Sequence, residues 1–223
     1  ITATPAFLSF FAGWAGGGCS GTAPCNLTLD TAKSVTATFT QGTFPGQPQN
    51  VVATPGNGQA TITFTPPASD GGLGITGYSV TCTASGQATV FNSGAASPIT
   101  LSGMVNGIAY NCAVRAGNDA GTGAATNVAV TPRTVPSAPT GLGATPGDAQ
   151  VTLTFTPSAS NGGNNISAYN ATCTAAGQTT RTGSAAGSPV IVSSLVNGVQ
   201  YSCSVVATNA AGNSAAATVN VTP

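Results

Sequence analysis

The side chains that carry most protein chemistry are scarce in this sequence. Histidine and glutamate are absent. The ionisable inventory is Asp30, Asp70, Asp119 and Asp148, the basic residues Lys33, Arg115, Arg133 and Arg181, four tyrosines and six cysteines. Enzymes need groups that shuttle protons or attack an electrophile, and no spacing here gathers any. Asp70 in "ASDGG" and Asp148 in "TPGDAQ" read as turn formers, where a carboxylate accepts backbone N–H bonds. Asp30 reads the same way. No Asp-x-Asp run offers a calcium loop, and cysteine without histidine lacks its usual zinc partner. The expectation is a chain with no catalytic residues, no metal and no cofactor, and therefore not an enzyme. Formal net charge is zero, so no basic patch exists for nucleic acid.

The cysteines carry the remaining chemistry. Their number is even, which favours disulfides and an oxidising compartment. Cys19 and Cys25 bracket "SGTAP", a short Gly/Pro turn. A bridge between them would stabilise by roughly 2–2.5 kcal/mol through loop closure. Cys112 follows Tyr110 by two residues, and Cys203 follows Tyr201 by two. Side-chain direction repeats every two residues along a strand, so each cysteine shares a face with its tyrosine.

These residues must be positioned by strands. Charged residues make up 4% of the chain, against about 25% in ordinary domains. Low charge with substantial Ala and Val is not the signature of disorder. Valine interleaved with Thr, Ser and Asn suits strands with one buried and one neutral, wet face. The run "AFLSFFAGWAGGG" from Ala6 is too short for a membrane span of about 20 residues, and it lacks the basic flank of a signal peptide. The chain therefore reads as a mature form or a fragment, with no membrane span.

Shifted by 91 positions, the sequence aligns with itself without a gap. "ATPGNGQATITFTPPASDGG" from Ala53 lies over "ATPGDAQVTLTFTPSASNGG" from Ala144. About half the positions of residues 46–132 recur in 137–223, which marks two copies of one module. Asp70 and Asp119 become Asn161 and Ala210 in the second copy, which is poor support for a catalytic role. Within the first copy, Ala60, Ile62 and Phe64 alternate with threonines. Tyr78, Val80 and Cys82 follow, then Ile99 and Leu101, then Tyr110, Cys112, Val114 and Ala116, then Val128 and Val130. Gly, Asn and Asp clusters separate them. About seven short strands in some 90 residues point to a β-sandwich.

Each copy resembles a fibronectin type III domain. The motif is carried by Met104, Gly107, Tyr110, Val114, Ala116, Asn118 and Gly121, and again by Leu195, Gly198, Tyr201, Val205, Ala207, Asn209 and Gly212. Phe64 and Phe155 stand where the family usually has a second-strand Trp. There is no Arg-Gly-Asp triplet, so integrin binding is not implied. The resemblance implies that Tyr110 and Tyr201 form tyrosine corners, ring in the core and hydroxyl on nearby backbone. It also makes the third and sixth strands neighbours, so the implied disulfides are Cys82–Cys112 and Cys173–Cys203.

Residues 1–41 lie outside the repeat. The string Phe11, Gly13, Trp14, Gly16, Cys19, Ser20, Gly21, Cys25, Asp30, Lys33, Ser34, Val35, Thr36, Ala37 and Phe39 resembles the C-terminal part of a divergent internalin B-repeat module of bacterial surface proteins. Strands are expected around Ile1–Ala6, Phe10–Trp14, Asn26–Leu29 and Val35–Thr40. The resemblance implies a sheet without its opening hairpin, either because the chain is a fragment or because a neighbouring subunit adds the missing strand. Trp14 is expected to cap a small core against Phe11 and Phe39; the alternative is an exposed sugar-stacking platform.

The fold class is thus all-β: a small partial β module over 1–41, then two immunoglobulin-like, fibronectin type III sandwiches in tandem over 46–132 and 137–223. "QGTFPGQPQ" and "TPRTVPS" read as proline-stiffened joints. The leading functional expectation is a structural or adhesive part of a bacterial extracellular surface protein or filament, with copies of itself as partners and a surface glycan or protein as ligand. The alternative is a spacer or accessory binding region of a larger secreted enzyme. Asn26, Asn165, Asn170 and Asn220 stand in glycosylation-type triplets.

Overall fold

The computed structural model describes residues 1–223. Every regular element is a strand. The first 41 residues form a three-stranded antiparallel sheet from β1 (Ser9–Gly16), β2 (Cys19–Gly21) and β3 (Thr36–Gln41), in the order β2-β1-β3. Gly16 pairs with Cys19, leaving Gly17–Gly18 as a two-residue turn with φ of 61° and 92°. Only a mirror-image turn matches the twist of the flanking strands, and it needs positive φ at both positions. A register shift between Phe11 and Gly13 bulges β1.

Two expected strands are not there. Residues 1–6 and 26–29 lie outside any sheet. A strand persists only where a neighbour completes its hydrogen bonds. Near residues 1–6 the backbone instead turns back on itself, with Ser9 N–H donating to Ala6 O at 3.1 Å and Leu8 at φ 59°. Asn26–Leu29 follow Pro24 and the tethered Cys25 with no strand beside them.

The first sandwich follows. Its smaller sheet runs β4 (Gln49–Gly56), β5 (Gln59–Thr65), β8 (Ile99–Ser102). Its larger sheet comprises β6 (Gly77–Thr83), β7 (Val90–Gly94), β9 (Tyr110–Asn118), β10 (Gly121–Thr122) and β11 (Thr126–Val130). β9 is the hub: β6 lies along one side, and β10 and β11 share the other. Burial alternates as the sequence does. Ile62, Val80, Cys82, Cys112, Val114 and Ala116 have no exposed surface, while Thr63 and Thr65 face water.

The second sandwich repeats the plan. β12 (Thr140–Gly147), β13 (Gln150–Thr156) and β16 (Val190–Ser193) form one sheet. β14 (Ala168–Thr174), β15 (Arg181–Ala185), β17 (Tyr201–Asn209), β18 (Gly212–Asn213) and β19 (Ala217–Val221) form the other. Val151, Leu153, Val190, Val192, Cys173, Cys203 and Val205 fill the space between the sheets. Phe155 leans on Tyr169 with ring centroids 4.8 Å apart, as Phe64 leans on Tyr78 at 4.8 Å. Each aromatic pair supplies bulk that compensates for a missing second-strand Trp.

The chain divides into two compact units: one of Ile1–Thr54, Thr61–Ser102 and Tyr110–Val130, the other of Pro55–Ala60, Gly103–Ala109 and Thr131–Pro223. No helix is long and apolar enough to cross a membrane.

Candidate functional site

Five of the eight charged side chains are held in local contacts. Asp70 Oδ1 accepts Gly72 N–H at 2.8 Å, closing a turn. Asp148 Oδ1 accepts from Asn197 Nδ2 at 2.8 Å. Asp30 pairs with Lys33 at 2.8 Å, and the Lys33 ammonium holds its carboxyl below the ordinary value. Arg115 donates from Nη1 to Gly123 O at 2.9 Å.

The sulfurs pair as Cys19–Cys25, Cys82–Cys112 and Cys173–Cys203. The last two span directly opposed positions of adjacent antiparallel strands, β6 with β9 and β14 with β17, with Cα atoms 4.0 Å apart. That separation is near the short spacing of non-hydrogen-bonded pairs, about 4.5 Å. Each closes a 30-residue separation, worth about 3–4 kcal/mol in the chain-entropy model. Tyr110 and Tyr201 are buried beside these bridges. The Tyr201 hydroxyl accepts Val196 N–H at 3.1 Å, which ties the corner to the backbone five residues upstream.

Trp14 is not a platform. It is 9% exposed, with the Phe11 ring edge-on at 5.0 Å. Phe11 in turn contacts Phe39 at 5.7 Å. Packed against Phe11, the Trp14 ring is taken up by the small core, and little of its face is left open for a sugar.

A second device was invisible as chemistry in the sequence. Asn118 is buried at the end of β9. Its Nδ2 donates to Thr43 O and to Asp70 O, both at 2.7 Å. Its Oδ1 accepts Ala120 N–H at 2.9 Å and Gly121 N–H at 3.2 Å. Thr43 N–H completes the knot by donating to Gly71 O at 2.9 Å. Asn209 repeats the arrangement on Thr134 O (2.8 Å), Asn161 O (2.7 Å) and Ala211 N–H (2.8 Å). Gly71 and Gly162 take φ of 75° and 71°, and a Cβ on either would run into the carbonyl of Thr43 or Thr134. The available signal was parity: Asn118 falls in step with Tyr110, Cys112, Val114 and Ala116, so a polar side chain was headed inward and needed partners.

The match to known families decides what these sandwiches are. The model of the fibronectin type III domain matches residues 46–132 and again 137–222. The chain belongs to the fibronectin type III family. Among curated proteins it is 33% identical over 195 residues to "Chitinase A1" of Niallia circulans, an alignment covering 80% of this chain and 26% of that protein. The chain therefore spans about a quarter of the length of the curated relative it matches. Among solved structures, the chicken CNTN1 FN1–FN3 domains share the fold with a TM-score of 0.50 at 18% identity, covering 83% of this chain and 70% of that one. A two-domain fibronectin type III segment of chicken tenascin aligns with a TM-score of 0.41 at 16% identity, covering 79% of this chain and 99% of that one.

One difference between the two fibronectin type III domains lies at a tyrosine hydroxyl. In the second, the Tyr169 hydroxyl accepts Ser158 N–H at 3.1 Å. The aligned residue in the first is Pro67, which has no N–H to give. The Tyr78 hydroxyl makes no hydrogen bond within the protein, and burial pushes its phenol up. Beside it lies a cleft of about 490 Å³.

Proposed function

We propose that this chain is a non-catalytic accessory region of a larger secreted bacterial enzyme that acts on an insoluble polysaccharide. It spaces or orients catalytic and binding parts outside the cell. The observation that carries this reading is the similarity to "Chitinase A1" over a stretch covering 26% of that protein. Three disulfides support an extracellular setting. Fold alone does not carry function; here the carboxylates are scattered and gather with no second titratable group beyond the Asp30–Lys33 pair, which argues against turnover by these residues themselves. The test is deletion of residues 1–223 from the full-length polypeptide. Hydrolysis of insoluble chitin falls while hydrolysis of a soluble oligosaccharide is unchanged; equal rates on both substrates would sink the reading. So would chitin hydrolysis by the isolated chain.

A second reading is a structural or adhesive filament subunit. The outer faces of the smaller sheets support it. They carry threonines, with Thr61 and Thr100 hydroxyls 3.2 Å apart, and almost no charge to keep copies apart. Sedimentation velocity at high concentration separates the readings. Reversible growth beyond the monomer favours self-assembly, and a single concentration-independent species removes it.

A further inference from the structure

The cleft beside Tyr78 is lined by Phe64, Pro66, Ile75, Tyr78, Ala96 and Ser97. Its walls are mainly apolar, no charged side chain enters it, and the polar side chains are two hydroxyls. Ser97 Oγ accepts Phe64 N–H at 3.0 Å, so its own O–H remains available to donate. Tyr78 is 7% exposed and its hydroxyl has no protein partner. The Tyr78 oxygen therefore opens onto the cleft and can be reached from solvent; the one sealed side-chain oxygen without a partner is Ser158 Oγ, in the second domain. The second domain shows the type of donor that fits this position: the equivalent hydroxyl receives a backbone amide N–H, from Ser158. The first domain keeps the tyrosine and, through Pro67, has lost the amide.

We propose that this cleft binds the acetamido group of an N-acetylated sugar. An acetamido group carries what the cleft lacks. Its amide N–H replaces the donor to the Tyr78 oxygen, its carbonyl accepts the Ser97 O–H, and its methyl group packs against Phe64 and Ile75. The choice of a sugar as the carrier rests on the accessory-region reading; the acetamido group itself rests on the cleft. With one recognised group and no open aromatic face, affinity is weak, which suits a region that touches a polymer at many points.

The test is an NMR titration of the intact 223-residue chain with triacetylchitotriose, with cellotriose as the control that has hydroxyl in place of acetamido. Saturable shifts are expected at the amides of Ile75, Ala96 and Ser97, none at Ile166 or Ser188, and none with cellotriose. Tyr78→Phe weakens binding by about fivefold, the loss expected for one neutral hydrogen bond. Pro67→Ser, which restores the N–H present in the second domain, weakens it without removing any contact to the ligand. Equal response in both domains, equal response to cellotriose, or unchanged affinity in both variants overturns the site. Tighter binding of N-acetyl-lysine methyl ester than of the sugar overturns the carrier. These outcomes are read on the chain alone, so they stand apart from the deletion experiment on the full-length enzyme.

Discussion

Replacing Asn209 by alanine removes three hydrogen bonds at once: Nδ2 to Thr134 O at 2.8 Å, Nδ2 to Asn161 O at 2.7 Å, and Ala211 N–H to Oδ1 at 2.8 Å. The residue is 5% exposed, so its former partners regain water only partly. At about 1 kcal/mol for each neutral bond, with a further cost where a partner stays buried, the loss is about 3 kcal/mol. That corresponds to about two decades of hydrogen-exchange protection in β17 and β19 of the second domain. Hydrogen exchange read by mass spectrometry on the intact chain provides an internal control, because β9 and β11 of the first domain keep Asn118. Asn209→Asp separates hydrogen bonding from shape. The new carboxylate would face two carbonyl oxygens in a buried site, so its folded pKa rises above the unfolded value of about 3.9. A raised carboxyl pKa means that the folded state holds the extra proton, so stability is greatest below the unfolded value and falls as pH rises through the folded one. A protection loss under about threefold for Asn209→Ala, or a pH-independent Asn209→Asp, would refute the clamp.

Other consequences are simpler. The paired change Cys82→Ser with Cys112→Ser costs the first domain about 3–4 kcal/mol, visible as a lowered denaturant midpoint in that domain alone. Gly162→Ala destabilises more than Gly177→Ala. Both have positive φ, at 71° and 73°, worth about 1 kcal/mol each, but only the first drives a Cβ into the Thr134 carbonyl; matched melting temperatures would contradict this. The Lys33 ammonium holds the Asp30 carboxyl below the ordinary carboxylate value in the native chain, and it moves up in Lys33→Ala. The favourable pairing is present above the unfolded pKa and is lost as pH falls through the native one, as carboxyl NMR shifts would record. Trp14, sealed by Phe11, emits with a blue-shifted maximum and resists iodide quenching; ready quenching would mean that the small sheet opens.

Much of the fold was legible because its two main signals are local. Alternation placed Ile62, Val80 and Val114 in the core, and a repeat of the same spacing doubled the evidence. What was not legible depended on partners far away in sequence. Residues 1–6 and 26–29 have strand-like composition, yet composition cannot supply the neighbouring strand they lack. Trp14 offered two readings because a ring's exposure is decided by what covers it. Asn118 was visible as a motif residue, but its bonds reach Thr43 and Asp70, 75 and 48 residues away. The Tyr78 vacancy came from a difference between copies, Pro67 against Ser158, which alignment records but whose consequence needs the hydroxyl's position.

The asparagine knots also extend each folding unit upstream of its first strand. Each sandwich completes a buried polar network with the carbonyl of a residue ahead of its first strand, Thr43 or Thr134. A segment cut to start at Gly46 or Ser137 would lose that carbonyl, leaving one of the two amide hydrogens of Asn118 or Asn209 without its acceptor while the bond to Asp70 or Asn161 remains. The self-sufficient folding unit is therefore one that carries its own Thr-x-Pro leader, Thr43–Pro45 or Thr134–Pro136.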